Sequence, residues 1–105
     1  MEKIEKAIHY STLYGLYGEL LSKSQQEIID DYINYDLSIS EISINRSISR
    51  SAVEDALKKG LNYLDHYENI LKQAQRKSKI FEIVEKIKNK TISEEEIINE
   101  LERLY

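Results

Sequence analysis

Apolar residues recur every three or four positions along most of the chain, which is the spacing that predicts amphipathic helices. The first such run extends from Ile4 to about Leu21. A second helix begins after Ser22 or Ser24, because a serine hydroxyl there accepts a hydrogen bond from a free backbone N–H of the first turn, and it ends near Asp36. The pattern therefore predicts two helices in the first third of the chain.

A short helix followed by a longer one is predicted in the middle of the chain. Ser38 and Glu41 form a capping-box pattern, in which a serine caps a helix and an acid three residues later returns a hydrogen bond, so a helix begins directly after Ser38. Ser49 is again suited to cap a helix, and helical spacing resumes from Arg50. These elements predict a helix-turn-helix over about residues 38–60.

The apolar stripe of the longer helix continues beyond this motif, which predicts one helix from Ser49 past Lys79 with a bend in the basic run Gln75–Lys79. A second capping-box pattern, Ser93–Glu96, begins a last helix that ends near Leu104. The stripe comprises Leu64, Tyr67, Leu71, Ala74 and Phe81. A core of this size cannot cover so long a stripe. Either the last helix folds back on it within the same chain, or a second copy covers it with the same helices, with or without exchange of the last helix; we expect the second, a homodimer that forms through the C-terminal helices.

Composition supports a helical fold. The chain has three glycines and no proline, which leaves few residues for tight turns, so the predicted fold class is all-α. Gly15 and Gly18 weaken the first helix unless they let another helix cross closely, and we expect such a crossing there. The length predicts a single domain, residues 1–105, with a C-terminal helical extension at about residues 61–105.

Charge is distributed unevenly along the chain. Residues 1–49 and 91–105 each carry four more acidic than basic residues, whereas residues 50–90 carry four more basic ones. A positive middle is typical of a nucleic-acid contact or of two surfaces that pack on each other. The sequence has no cysteine, no signal-peptide pattern and no apolar run long enough to span a membrane, which predicts a cytoplasmic protein.

Residues that could carry catalysis or hold a metal are few. His9 and His66 lie on different predicted helices, and an Asp65–His66 pair on a helix surface is rarely a catalytic base. The sequence contains no nucleotide-binding glycine pattern and no paired metal-ligand spacing. We therefore expect no enzymatic activity, no cofactor and no metal.

Two groups of residues are candidates for binding. In a helix-turn-helix protein the second helix enters the major groove of DNA, and its N-terminal end approaches phosphates. The candidate nucleic-acid contacts are Ser49, Arg50, Ser51, Glu54 and Lys58. A basic run further along the chain is a candidate contact for RNA or a protein partner, and it comprises Lys72, Arg76, Lys77 and Lys79.

Six segments of the chain carry a resemblance to a known family: Leu21-Ser22-Lys23-Ser24-Gln25-Gln26, Tyr32-Ile33-Asn34-Tyr35-Asp36, Leu37-Ser38-Ile39-Ser40-Glu41-Ile42-Ser43, Ile48-Ser49-Arg50-Ser51-Ala52-Val53-Glu54-Asp55, Leu64-Asp65-His66-Tyr67-Glu68 and Ile80-Phe81. In order and spacing they resemble the YlxM-like family of bacterial proteins. The resemblance covers roughly residues 5–90, and its helix-turn-helix is similar to that of sigma-factor region 4. It implies an all-helical fold, a gene beside that of the signal-recognition-particle GTPase, and a regulatory role in that pathway.

The chain departs from the family pattern in and beside the turn. Ser43 stands where a small alanine is usual, Arg46 where an apolar residue is usual, and Ser47 where glycine is usual. A left-handed backbone at Ser47 would be strained by about 1 kcal/mol. These departures weigh against sequence-specific DNA binding.

Two functions stay open. The first is an accessory protein of the signal recognition particle that contacts the particle's protein or RNA, and the alternative is a DNA-binding transcriptional regulator that resembles sigma-factor region 4. A helix that reads DNA carries several basic or amide residues in its exposed N-terminal half, whereas here Arg50 stands beside Glu54 and Asp55. The sequence therefore favours the first function and predicts only weak, electrostatic DNA binding.

Overall fold

The computed structural model describes residues 2–105, with side chains from Lys3 onward, and within that part it contains six α-helices and no β-strand. The helices are α1 (Glu2–Tyr17), α2 (Lys23–Ile29), α3 (Ile39–Arg46), α4 (Arg50–Leu71), α5 (Gln73–Lys88) and α6 (Glu94–Glu102). A short 3₁₀ turn, Gly18–Leu20, follows α1, and a π-helical segment, Asp30–Asn34, extends α2. The prediction of an all-α fold is confirmed.

The chain divides into two compact units, Met1–Leu71 (unit 1) and Lys72–Tyr105 (unit 2). The helix-turn-helix lies within unit 1. The C-terminal extension was predicted from residue 61, but α4 runs through that position as part of unit 1, and unit 2 begins at Lys72. That residues 1–105 form a single domain stays a prediction.

Serine side chains begin four of the helices, as the sequence predicts. Ser38 and Glu41 form a complete capping box, with both hydrogen bonds 3.1 Å long. Ser22 caps α2 in the same way, and the Ser49 hydroxyl accepts a hydrogen bond from the first turn of α4. Ser93 caps α6 by accepting one. Each cap satisfies a backbone N–H that the helix itself leaves without a partner.

The core of unit 1 forms around α4, which contacts α1, α2 and α3. Apolar side chains from all four helices and from the segment after α1 are buried there: Leu13, Tyr17, Leu21, Ile28, Ile29, Ile42, Val53, Leu57 and Leu64. Burying a side chain of this size stabilises a fold by about 1.5–3 kcal/mol. The predicted core positions Ile42 and Val53 of the helix-turn-helix are fully buried, so the motif is held by packing against the rest of unit 1.

The close helix crossing occurs at a different glycine from the two that were predicted. Gly15 has open space around the position of a Cβ atom, and Gly18 is buried against the ring of Tyr14, four residues earlier on α1. A Cβ atom at Gly60 would overlap the Cδ1 atom of Ile29 on α2. The close approach of α2 to α4 therefore occurs at Gly60, and the expected crossing at Gly15 and Gly18 was wrong.

Polar contacts of tyrosines join α1 to the second half of α4. The Tyr10 hydroxyl donates to Asp65 at 2.7 Å, and the Tyr17 hydroxyl donates to Glu68 at 2.7 Å. The rings of Tyr17 and Tyr67 also lie 6.2 Å apart between their centres. The segment Leu64–Glu68, which contributes to the family resemblance, thus positions α1 within unit 1.

The long helix ends earlier than predicted. α4 ends at Leu71, and Lys72 has a left-handed backbone with φ 54° and ψ 31°, so the continuous helix past Lys79 and its bend in Gln75–Lys79 were wrong. One left-handed residue interrupts the helical hydrogen-bond pattern wherever it occurs, and glycine usually provides it. A lysine at position 72 does not indicate that a helix ends there, and the apolar spacing on both sides of it predicts one continuous helix.

Unit 2 consists of α5 packed on α6. Among residues 72–105, all of which the structure describes, Ile83 is the one buried hydrophobic side chain. Six other large apolar residues remain exposed on the two helices: Ile80, Phe81, Val84, Ile87, Ile98 and Leu101. The last helix begins at Glu94 as predicted and ends at Glu102, two residues before the predicted Leu104.

Candidate nucleic-acid interface

Two of the three residues at which the chain departs from the family pattern, Ser43 and Ser47, shape the turn of the helix-turn-helix. Ser47 has the left-handed backbone expected of a turn glycine, with φ 55° and ψ 43°. The Ser43 hydroxyl donates to the Ile48 carbonyl at 2.7 Å, and the Ile48 N–H donates back to the Ser43 carbonyl at 3.1 Å. These bonds close the turn and offset the strain of about 1 kcal/mol at Ser47.

Arg46 has a structural contact where an apolar residue was expected. Its guanidinium donates to both carboxylate oxygens of Asp31, at 2.6 and 3.1 Å, and to Glu27 at 3.0 Å. The hydrogen bonds to Asp31 raise the pKa of Arg46 further above its already high value. Arg46 therefore ties α3 to the segment that follows α2, and its positive charge is compensated within unit 1.

The predicted contacts on the second helix all lie at its exposed beginning. Ser49 caps α4 through a 3.0 Å hydrogen bond from the Ala52 N–H, and Arg50, Ser51, Glu54 and Lys58 follow on the surface. Arg50, Glu54 and Lys58 are spaced four residues apart and share one face of the helix, over about 12 Å at 1.5 Å per residue. The structure thus brings the five predicted residues together on one exposed surface.

The charge of this surface is nearly balanced. Arg50 and Lys58 bracket Glu54, and the neighbouring Lys59 pairs with Asp55 at 3.1 Å. Lysine and arginine near phosphates supply most of the affinity for DNA, and acidic residues beside them oppose it. This face can make a few phosphate contacts, but it lacks the dense positive charge of a strong DNA-binding helix.

A groove beside Arg50 contains residues that sequence reasoning missed. It has a volume of about 650 Å³, and α1 contributes Lys3, Lys6 and Tyr10 to its wall. These three residues recur at helical spacing and so share one face of α1, yet nothing in the sequence links that face to the beginning of α4. Asp36 and Glu41 line the same groove, so it carries charges of both signs.

The Tyr10 phenol in this groove is held in its neutral form. Burial, the hydrogen bond to Asp65 and the negative charge of that carboxylate raise the pKa of Tyr10 to about 12. Asp65 also contacts the His9 Nε2 atom at 3.2 Å. Asp65 therefore contacts α1, and the ring of the adjacent His66 lies near the ring of Tyr67.

The described residues contain no cluster of three histidine or acidic side chains that could hold a metal ion.

The predicted basic run lies in unit 2 and divides into two parts. Lys72, Arg76 and Lys79 line a cleft of about 470 Å³, whereas Lys77 lies outside its lining. Sequence reasoning missed that Lys86 from α5 and Arg103 from the end of α6 also line the cleft. Residues 87–102, which include the whole of α6, separate Lys86 from Arg103 in sequence, so only the packing of α6 on α5 reveals that they share one site.

No helix in the part of the chain that the structure describes is both long enough and apolar enough to cross a membrane.

Comparison with known proteins identifies relatives over almost the whole chain. Residues 4–104 match the model of the UPF0122 family, described as "Putative helix-turn-helix protein, YlxM / p13 like". A UPF0122 protein of Malacoplasma penetrans is 41% identical over 96 residues, which cover 90% of this chain and 89% of that protein. A UPF0122 protein of Clostridium kluyveri is 42% identical over 79 residues, covering 75% and 71%, and a relative in Mycoplasma mycoides is 33% identical over 101 residues, covering 96% and 89%.

Proposed function

Because the chain belongs to the UPF0122 family of YlxM/p13-like helix-turn-helix proteins, we propose that it is a non-enzymatic accessory or regulatory protein of the signal recognition particle pathway in the cytoplasm. The gene neighbourhood that the family resemblance implies supports this pathway. The proposed partner is the protein or the RNA of the particle, and no cofactor takes part.

The position of the positive charge carries this proposal. The exposed beginning of α4 is nearly balanced in charge, whereas five cationic residues line one cleft of unit 2. Two acidic residues, Glu82 and Glu100, line the same cleft, so positive charge remains in excess there. A surface with excess positive charge favours an RNA phosphate backbone or an acidic protein surface. Under this proposal the helix-turn-helix serves mainly as a structural scaffold, and the partner contacts are made by unit 2.

A pull-down from a native lysate tests this proposal. The tagged protein is incubated with nuclease-treated and untreated lysate, and the particle's RNA and GTPase are quantified. Recovery of the GTPase in both arms supports a protein contact, and recovery only without nuclease supports an RNA contact. If neither component is enriched over a charge-matched control protein, the proposed pathway is wrong.

The second candidate function is a DNA-binding transcriptional regulator, which the intact helix-turn-helix supports. Arg50 and Lys58 can contact phosphates, and the groove that holds Lys3 and Lys6 adjoins Arg50. We expect duplex binding to be weak and to fall steeply as salt increases, because few phosphates are neutralised. Nanomolar, sequence-selective binding at physiological salt that is lost in Arg50→Ala would instead establish this second function.

We also propose that the protein forms a homodimer through the exposed apolar face of unit 2. Phe81 is 65% exposed and Ile98 is 54% exposed, although both are large apolar residues on helices. A second copy suits this face because α5 has basic residues in its last turn and α6 has three glutamates in its first. Both charged turns flank residues 89–93, so copies related by a two-fold axis along the helices would bring the basic turn of one copy to the acidic turn of the other.

Light scattering at micromolar concentration tests the dimer. We expect a dimer mass for the parent protein and a monomer mass for Phe81→Glu, since a buried unpaired charge is costly at an apolar interface. Leu71→Asp, at the end of α4, tests whether the interface extends into the stripe predicted from the sequence. A monomer mass for the parent would refute the proposal.

A further inference from the structure

The cleft of unit 2 has two kinds of cationic residue. Lys86 pairs with Glu100 at 3.0 Å, and Lys79 approaches Glu82 at 3.9 Å. Across the part of the chain that the structure describes, neither Lys72 nor Arg103 has a carboxylate within salt-bridge distance. Their charges are therefore available to an anionic ligand, and the exposed pairs of the other two are weak enough to exchange for a phosphate.

Apolar and aromatic surface lies beside these charges. The buried Ile83 forms part of the cleft wall, and Leu104 and Tyr105 continue it beyond the end of α6. Tyr105 is 96% exposed, so its ring is open to solvent. Positive charge next to an exposed aromatic ring is the combination by which proteins bind single-stranded nucleic acid, since the cations contact the backbone and bases stack on the ring.

We propose that this cleft binds an unpaired nucleic-acid strand, with Lys72 and Arg103 contacting phosphates and Tyr105 stacking on a base. This inference rests on the proposed function in assigning the same basic residues to a nucleic-acid partner. It goes further in naming an unpaired strand, and in adding Arg103 and Tyr105 of the C-terminal segment to the site.

The shape of the cleft favours a single strand over a duplex. Packed helices such as α5 and α6 have axes about 8–10 Å apart, so the space between their exposed side chains is narrow. A duplex is a convex body wider than this and can touch only the rim, whereas one strand can lie along the cleft with a base against the ring of Tyr105. An acidic protein segment would also neutralise the cationic residues of the cleft, but it would gain less binding free energy from contact with an exposed tyrosine ring.

Fluorescence anisotropy with short labelled oligonucleotides tests this inference on the full chain. The probes are a uridine 12-mer, a thymidine 12-mer and a duplex of equal length, measured across a range of salt concentrations. We expect both single strands to bind more tightly than the duplex. The comparison of uridine with thymidine strands shows whether the site distinguishes RNA from DNA.

Matched variants separate the cleft from general electrostatic attraction. Arg103→Gln should weaken strand binding several-fold and reduce the slope of log affinity against log salt by about 0.7, the value for one phosphate contact of a single strand. Lys77→Gln removes the same charge from α5 outside the cleft and should have a smaller effect. Thermal unfolding followed by circular dichroism verifies that both variants fold like the parent.

The tyrosine requires its own pair of variants. Tyr105→Ala should weaken binding by about 5- to 100-fold, as expected when base stacking is lost. Tyr35→Ala, which removes another exposed tyrosine from unit 1, should leave binding unchanged.

Three results would overturn the inference: duplex binding that equals or exceeds strand binding, equal effects of Arg103→Gln and Lys77→Gln, or tighter binding of an acidic peptide than of either strand.

If strands bind as expected but the pull-down recovers no particle component, the proposed pathway fails and the strand site stands. If the pull-down succeeds without strand binding, the strand site fails alone.

Discussion

The two units of the protein use their apolar and charged residues in opposite ways. Among its residues from Lys3 onward, unit 1 buries nine large apolar side chains around α4 and compensates the charge of Arg46 with Asp31 and Glu27. Unit 2 buries Ile83 alone among its residues 72–105, leaves Phe81 exposed, and lines a cleft with five cationic residues. From this difference we expect unit 1 to supply stability, and it agrees with the proposal that unit 2 makes the contacts.

The helix-turn-helix belongs to the stable unit. Its three departures from the family pattern, Ser43, Arg46 and Ser47, each have a place in the local structure through a hydrogen bond, an ion pair or a left-handed turn. Residues that look like the loss of a DNA-binding feature therefore preserve the fold of the motif. Substitutions in unit 1 should accordingly alter stability, and substitutions in unit 2 should alter binding.

The largest effect on stability is expected at the α2–α4 crossing. Gly60→Val would place two methyl groups against the buried side chain of Ile29, and such overpacking typically lowers the free energy of unfolding by about 1–3 kcal/mol. Gly15→Val is the control, because Gly15 has open space and the change should be within about 0.5 kcal/mol. Urea unfolding measures both. Equal effects would show that the close crossing is unimportant.

A smaller effect is expected at Arg46. Arg46→Gln leaves the largely buried carboxylate of Asp31 without its bidentate partner and should lower the free energy of unfolding by about 1 kcal/mol. Lys59→Gln breaks an exposed pair with Asp55 and should cost less than about 0.5 kcal/mol. If the Lys59 variant is the less stable of the two in urea, the ion pair of Arg46 does not contribute as the structure suggests.

The smallest effect concerns pH. Since folding raises the pKa of Tyr10 to about 12 from its ordinary value of 10.0, the stability it provides is complete below pH 10 and is lost as the pH rises towards 12. Tyr10→Phe should therefore be less stable than the parent by about 0.5–1 kcal/mol near neutral pH. The difference should shrink between pH 10 and pH 12. A difference that stays constant over that range in denaturant titrations would contradict the proposed contact with Asp65.

The parts of the fold that follow from local chemistry could be predicted from the sequence. Ser38, Ser49 and Ser93 each begin a helix because a serine hydroxyl satisfies a free backbone N–H, and this needs only neighbouring residues. The buried positions of Ile42 and Val53 follow from helical spacing in the same way. The beginning of α4, with Arg50 and Lys58 exposed, was predicted on this basis.

The break between α4 and α5 and the complete cleft could not be predicted. Lys72 has a left-handed backbone at this break, where glycine is the usual signal, and the apolar spacing continues on both sides of it. The cleft requires α6 to return along α5, so that Arg103 joins residues far from it in sequence. Likewise, Gly60 is recognisable as a crossing point only once α2 lies against it.

The most direct test compares two double variants that remove equal charge from the two units. Arg50→Gln with Lys58→Gln acts on α4, and Lys72→Gln with Arg103→Gln acts on the cleft. Each is used as bait in native lysate, and the particle's RNA and GTPase are quantified relative to the parent protein. The account predicts that the cleft variant loses most of its recovery and that the α4 variant keeps it. Loss of recovery in the α4 variant, with the cleft variant unaffected, would contradict the assignment of contact to unit 2.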